Sequence, residues 1–264
     1  MNLNDLSTQL LFTTVPIWTE LESGETKSAT SFIYNVPIKE KPGISIPLLI
    51  TNYHVVNGAN RGIIELIGRD SEKPNIKNRI HVELTSEQLN KHVNNYLDVA
   101  LIPLGPVLNQ LDNSGRPIFF RSVTPDIVPS PDVLSELAAV EDIVFIGYPS
   151  GLRDETNATP LIRRGITSTP AWNNFQGKPV FMIDAGVFPG SSGSPVFIFN
   201  QGAYATKNGL TVGSRLLFLG VICQSIVRTE TNKEVYIGLG EVVRSTDLRD
   251  FIDREMQPML AGES

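Results

Sequence analysis

The 264-residue chain is 41% apolar and contains 21 Gly and 18 Pro, the proportions of a globular protein and far from the Pro and Gly content of disordered chains. Its 22 Lys and Arg against 28 Asp and Glu leave a net charge of −6, which argues against a nucleic-acid binder or an anionic-membrane binder. A single cysteine, Cys223, excludes an intramolecular disulfide and points to a reducing compartment or a bacterial setting.

The opening Met1-Asn2-Leu3-Asn4-Asp5 lacks the positive charge of a signal peptide, the first basic residue being Lys27. No apolar run approaches the roughly 20 residues of a membrane helix, so a soluble, cytoplasmic protein is expected. Runs rich in Val, Ile, Phe and Tyr, bounded by Gly, Pro, Asn or Asp, predict strands over residues 31–36, 46–56 and 62–67. Residues 69–77, mixed in charge and containing Pro74, read as a surface loop before further strands at 80–84 and 99–104. Residues 103–131 show little periodicity and read as the connection between two β halves. A helical turn follows over 131–137, with Ser130 as cap and Pro131 in first position. Strands are then predicted at 143–147, 161–168, 180–184, 195–199, 216–226 and 235–243. The chain closes on a helix over 245–256, where Leu248, Phe251, Ile252 and Met256 share one face, Ser245 or Thr246 caps and Pro258 follows the stop. Many short strands and one late helix predict a sandwich or barrel.

Three places carry chemistry. His54 lies in Leu48-Leu49-Ile50-Thr51-Asn52-Tyr53-His54-Val55-Val56, at the end of a predicted strand. Asp98 stands at the mouth of the apolar run Val99-Ala100-Leu101-Ile102. Ser192 lies in Pro189-Gly190-Ser191-Ser192-Gly193-Ser194-Pro195, where flanking glycines permit a tight turn that exposes a hydroxyl and gathers amides. Singly, each has an ordinary explanation: a core histidine, a turn aspartate, a Ser/Gly loop. Together they stand in the order His, Asp, Ser, at sequence spacings of 44 and 94, one of the chain orders in which a Ser-His-Asp triad occurs.

Here the sequence resembles a chymotrypsin-like (trypsin-like) serine protease, and within that fold the protease domain of the HtrA (Deg) group. TNYHVV is similar to that group's TNxHVV, DVALI to DxALL, and DAGVFPGSSGSPV to DAxxNPGNSGGPL; VFIGYPSG, GITS and Gly238-Leu239-Gly240 add weaker matches. The resemblance implies an all-β fold, a double antiparallel β-barrel with a C-terminal helix. It implies one peptidase domain over 1–264, with barrels over about 8–125 and 138–245 and the helix over about 245–257. No PDZ module is expected after the matched region. The activity implied is endopeptidase cleavage of a protein or peptide substrate through an acyl-enzyme. Ser192 would be the nucleophile, His54 the general base and then acid, and Asp98 its orienting carboxylate, with the Gly190 and Ser192 amides as oxyanion hole.

The resemblance also places a specificity pocket at Gly186 and Val187, walled by Ile222, Cys223, Gln224 and Gly238, without an acid at its base. Small to medium apolar side chains are therefore expected before the scissile bond. His81, His92 and Arg163-Arg164 read as surface or structural residues, Asn157-Ala158-Thr159 as a glycosylation sequon without use in a cytoplasmic chain, and Cys223 as a small buried thiol. No cofactor and no metal are expected, and neither nucleic acid nor membrane is an expected partner. An activating partner protein is expected, because an unrestrained cytoplasmic protease would be harmful. The competing reading is a catalytically silent binding or regulatory module that kept the protease fold.

Overall fold

The computed structural model describes residues 2–38, 41–206, 209–230 and 233–260. In the first half, helix α1 (Leu6–Leu10) precedes strands β1 (Thr14–Leu21), β2 (Thr26–Pro37) and β3 (Ser45–Thr51). Helix α2 (Tyr53–Val56), strands β4 (Ala59–Asp70) and β5 (Lys73–Thr85), helix α3 (Ser86–Asn90) and strands β6 (His92–Asn94) and β7 (Val99–Pro103) follow. Helix α4 (Gly105–Asn113), strand β8 (Ile118–Phe119) and helix α5 (Pro131–Ser135) form the connection. The second half holds β9 (Asp142–Gly147), β10 (Leu161–Thr167), β11 (Val180–Asp184), β12 (Pro195–Asn200), the hairpin β13 (Ala203–Thr206) and β14 (Gly209–Val212), β15 (Arg215–Glu230), β16 (Lys233–Arg244) and helix α6 (Ser245–Leu260).

The first half is one antiparallel sheet in the order β5-β4-β1-β2-β3-β7-β6, with β8 beside β4; the second is a closed barrel, β10-β11-β16-β15-β12-β9. Alternation along the central strands assigns each face. On β2 and β3, Ile33 and Leu49 point into the first half's own core with Ile17, Ile64 and Leu84. Their neighbours Phe32, Tyr34, Leu48 and Ile50 point the other way, into a second cluster shared with Phe197, Phe218 and Val221 of the barrel. Both faces are thus buried, which is why the run Leu48-Leu49-Ile50 is continuous rather than alternating. In the barrel, Val196, Ile198, Leu219 and Ile222 fill the interior. Phe218 joins the halves, its ring centroid 5.4 Å from that of Phe32 and 5.6 Å from that of Phe197. Leu248, Phe251, Ile252 and Met256 lay α6 against this shared core.

Four local expectations need correction. The strand expected over 46–56 stops at Thr51; the extended Asn52 opens the helical turn α2, which carries His54 and buries Val55 and Val56. Residues 69–77 are a hairpin rather than a loop, with Arg69 paired to Pro74 and Asp70 to Lys73. Because β5 is an edge strand, the donor that proline lacks is not missed there. The connection 103–131 contains α4, which begins with Gly105 and Pro106 and buries Val107 and Leu111. Finally, α6 runs through Pro258 to Leu260. The proline sits in the last turn, where it forfeits one backbone bond, and Met259 and Leu260 pack on the core.

Candidate active site

Asn52 begins the assembly of the site. Its extended backbone ends β3 and opens α2, and its Nδ2 donates to the Asp98 carbonyl at 2.8 Å. Asp98 closes the turn before β7 with φ +53, a left-handed conformation that costs a non-glycine residue about 1–3 kcal/mol. In this pose its carboxylate grips α2 twice. Oδ1 accepts the His54 backbone N–H at 2.8 Å, and Oδ2 lies 2.7 Å from His54 Nδ1. An ionised carboxylate only accepts, so the proton of a neutral His54 resides on Nδ1 and the lone pair on Nε2. That lone pair faces Ser192 Oγ at 3.2 Å. The His54 side chain is 46% exposed, open enough for a macromolecular substrate to reach.

Ser192 lies in the segment joining β11 to β12. Ser191 N–H donates back to the Phe188 carbonyl at 3.0 Å, Ser194 N–H to Ser191 at 3.0 Å and Gly193 N–H to Ile222 at 2.9 Å. Gly190 has φ +86, and a Cβ there would come within 2.6 Å of the Tyr148 carbonyl and 2.8 Å of the Ser150 nitrogen. The turn therefore needs glycine. Among the described residues, the backbone N–H groups of Gly190 and Ser192 donate to no partner, leaving two donors beside the hydroxyl able to receive an oxyanion.

Thr30, on β2, ties this turn to the first half. Its N–H donates to the Ser192 carbonyl at 2.9 Å and its hydroxyl to the Gly190 carbonyl at 2.9 Å. The same hydroxyl accepts from Tyr148 N–H at 3.0 Å, and the Thr30 carbonyl accepts from the Thr51 hydroxyl at 2.9 Å.

The loop beyond Tyr148, on which Gly190 rests, is anchored by charge. Glu65 of β4 is 6% exposed, and its carboxylate lies 2.7 Å from Arg153 Nη1 and 3.0 Å from His81 Nε2. His81 thereby has the structural role expected of it, as does His92, whose Nδ1 meets Glu255 at 3.0 Å. Glu65→Ala would leave Arg153 only the exposed Glu155, 2.7 Å away, as counter-charge. We expect it to lower the unfolding free energy by about 1–3 kcal/mol, measured by urea titration. Removing the exposed Arg61–Glu20 pair, 2.6 Å apart, should leave stability nearly unchanged.

The expected pocket residues are only partly together. Gly186, φ +61, and Gly238, φ +82, face one another: the Gly238 carbonyl accepts from Ala185, Gly186 and Val187, and a Cβ on Gly238 would lie 3.7 Å from Gly186 Cα. The side chains of Val187 and Ile222, by contrast, belong to the barrel interior and cannot line a pocket; only their backbone is available to a ligand. Gln224 is exposed. Cys223 is buried, its Sγ 3.5 Å from the Glu241 carbonyl, and burial, with Glu241 and Asp98 nearby, pushes its thiol pKa up. This favours the protonated form. Arg163, expected to be a surface or structural residue, stands half-buried beside the glycine pair. A Cβ built on Gly186 would meet its Nη2, and its Cζ lies 5.4 Å from the centroid of the Phe188 ring. Strand alternation was the available signal: Leu161, Arg163, Gly165 and Thr167 share the less exposed side of β10.

A family model described as the trypsin-like peptidase domain matches residues 31–204. Among solved structures, catalytically active tobacco etch virus protease complexed with product is 13% identical, with 93% of this chain and 79% of that one covered at a TM-score of 0.50. The inactive form of that protease complexed with substrate is 11% identical, with 95% and 87% covered, also at 0.50. The Rv3671c protease from M. tuberculosis in its active form is 18% identical, with 94% and 83% covered at 0.49. At these identities the likeness is one of fold, the chymotrypsin-like pair of barrels with a C-terminal helix. No curated protein matches the sequence.

Proposed function

We propose, on the premise that this chain belongs to the trypsin-like peptidase domain family, that it is a serine endopeptidase acting through His54, Asp98 and Ser192. The observation that carries the proposal is the unbroken contact from the Asp98 carboxylate through the His54 ring to the Ser192 hydroxyl, at 2.7 and 3.2 Å. His54 Nε2 takes the Ser192 proton as Oγ attacks the scissile carbonyl carbon. The oxyanion formed is held by the Gly190 and Ser192 amides. Nε2 then returns the proton to the leaving amine, and water, activated by the same nitrogen, releases the acid and restores Ser192. Asp98 keeps the lone pair on Nε2 and stabilises the imidazolium.

The proposal includes kinship with the HtrA group, resting on TNYHVV, DVALI and DAGVFPGSSGSPV. It also includes a single catalytic unit made by both halves, and a reducing, cytoplasmic setting, which rests on the one cysteine. No described helix is long and apolar enough to cross a membrane. The test is intact mass after treatment with a fluorophosphonate. One adduct, absent from Ser192→Ala, supports the proposal; no adduct, or one that persists in the variant, refutes it.

Control through a partner or loop shift is part of the same reading. Activation by pairing a freed N-terminal ammonium with the residue before the nucleophile has no acceptor here. Ser191 is fully buried, and its hydroxyl already meets the Phe188 N–H at 3.4 Å. Burying an ammonium without a carboxylate costs several kcal/mol. An N-terminal extension is therefore expected to leave the fluorophosphonate reaction rate within about twofold of the unextended chain, and recovery of activity only on cleaving the extension would contradict this.

A further inference from the structure

The segment from Gly186 to Ser192 folds back on itself through the Phe188–Ser191 turn, so the two residues lie on opposite arms of one bend. On the Gly186 arm, two glycines face each other and leave space that no side chain of their own fills. The side chains that enter this space come from elsewhere. The Arg163 guanidinium lies where a Gly186 side chain would begin, over the face of the Phe188 ring. Phe188 is backed in turn by Tyr236, centroids 6.2 Å apart.

Among the described residues Arg163 has no carboxylate within 4.0 Å, unlike Arg61, Arg79, Arg153, Arg164, Arg215 and Arg244. The nearest acid to the glycine pair is Asp184, whose Oδ1 would lie 3.9 Å from a Cβ on Gly238; it is exposed and forms no ion pair with Arg163. The result is a half-buried guanidinium with an aromatic face behind it and its donors uncommitted. It is a fork suited to a planar carboxylate.

We infer that Arg163 is the specificity-determining residue of the candidate peptidase and selects substrates with an acidic side chain, Glu or Asp, immediately before the scissile bond. The inference rests on the reading of Ser192 as nucleophile, and it replaces the apolar preference expected from Gly186 alone. The peptide carboxylate supplies the counter-charge that the fold withholds, and the pairing holds the scissile carbonyl beside Ser192. Charge-assisted hydrogen bonds of this kind predict an advantage of about 10- to 100-fold in kcat/KM for an acidic over an isosteric neutral residue.

The test uses the full chain and three diphenyl phosphonate probes, carrying Glu, Leu or Lys at the position that precedes the scissile bond. Rates of Ser192 modification are read by intact mass, and a peptide library profiles cleavage in parallel. The Glu probe is expected to react fastest. Arg163→Gln should reduce its advantage over Leu to under about threefold, while the reaction with a simple fluorophosphonate, which lacks that side chain, reports whether Ser192 is still reactive in the variant. Arg163→Lys, which keeps the charge but loses the fork, should retain an intermediate preference and serves if the glutamine variant does not fold. A Leu preference, or a profile unchanged in Arg163→Gln, overturns the inference and leaves the peptidase reading standing. A Lys preference also overturns it and assigns the pocket to Asp184. Failure of the wild type to react with the fluorophosphonate removes the nucleophile reading itself.

Discussion

Ser192→Ala is expected to lower kcat about 10⁶-fold, and Asp98→Asn about 10⁴-fold, with the fold unchanged in both. The physical causes differ. In the proposed mechanism alanine removes the attacking atom. Asparagine keeps the size of the side chain but offers Nδ1 an amide that can itself donate, so the ring can take the tautomer with its proton on Nε2, facing Ser192, and lose the base. The Asp98 carboxylate also accepts the His54 backbone N–H at 2.8 Å, so the substitution should loosen α2 slightly as well as the ring. Because the members of a triad act as a unit, the proposal predicts that Ser192→Ala combined with Asp98→Asn is little worse than Ser192→Ala alone. Cleavage of a library-selected peptide, with circular dichroism to establish folding, measures both effects. Independent, multiplying losses would count against a triad.

Gly193→Ala is the second large effect expected. Gly193 has φ +85, and a Cβ there would overlap the Thr30 carbonyl oxygen and stand 2.8 Å from the Thr51 hydroxyl. The oxygen is backbone and cannot rotate aside, so strand β2 or the Ser192 turn must shift. Left-handed strain of about 1–3 kcal/mol adds to overpacking of about 1–3 kcal/mol. A displacement of the nucleophile by about 1 Å can cost a further hundredfold in rate. The matched control is Gly177→Ala, with φ +80 but nothing within 4 Å, which should show the strain alone and no change in reaction rate. Thermal unfolding and fluorophosphonate rates for the two variants separate contact from strain. Equal behaviour would contradict the close approach.

Much of this architecture is legible in the sequence, and the exceptions have physical causes. His54, Asp98 and Ser192 announce themselves because each stands where an apolar run meets a turn former. The structure then brings the three within hydrogen-bond reach. The helix after Arg244 is legible because Leu248, Phe251, Ile252 and Met256 fall on one face. Helix α2 was hidden because four residues give too little periodicity to separate from the apolar strand before them. Strands β4 and β5 run longer than their apolar stretches because their ends pair in a solvent-facing hairpin, where polar residues such as Arg69 and Lys73 serve as well as Val or Ile. For Arg163, alternation makes legible only the side of β10 on which it falls; its place at the gap between two distant glycines is a fact of packing.

The bonds of Thr30 have a consequence for how the molecule comes into being. His54 and Asp98 lie in the part of the chain made first and Ser192 in the part made last, and the bend carrying Ser192 hangs from Thr30 of the earlier part. While the ribosome is still adding residues of β15 and β16, the carbonyl of Ile222 that steadies Gly193, and the Gly238 carbonyl that gathers Ala185, Gly186 and Val187, do not yet exist. A nascent chain thus carries His54 and Asp98 early, whereas the bonds that order the Ser192 turn can form only after β15 and β16 have emerged. On the proposed mechanism, chain order by itself would delay self-digestion until synthesis is nearly complete.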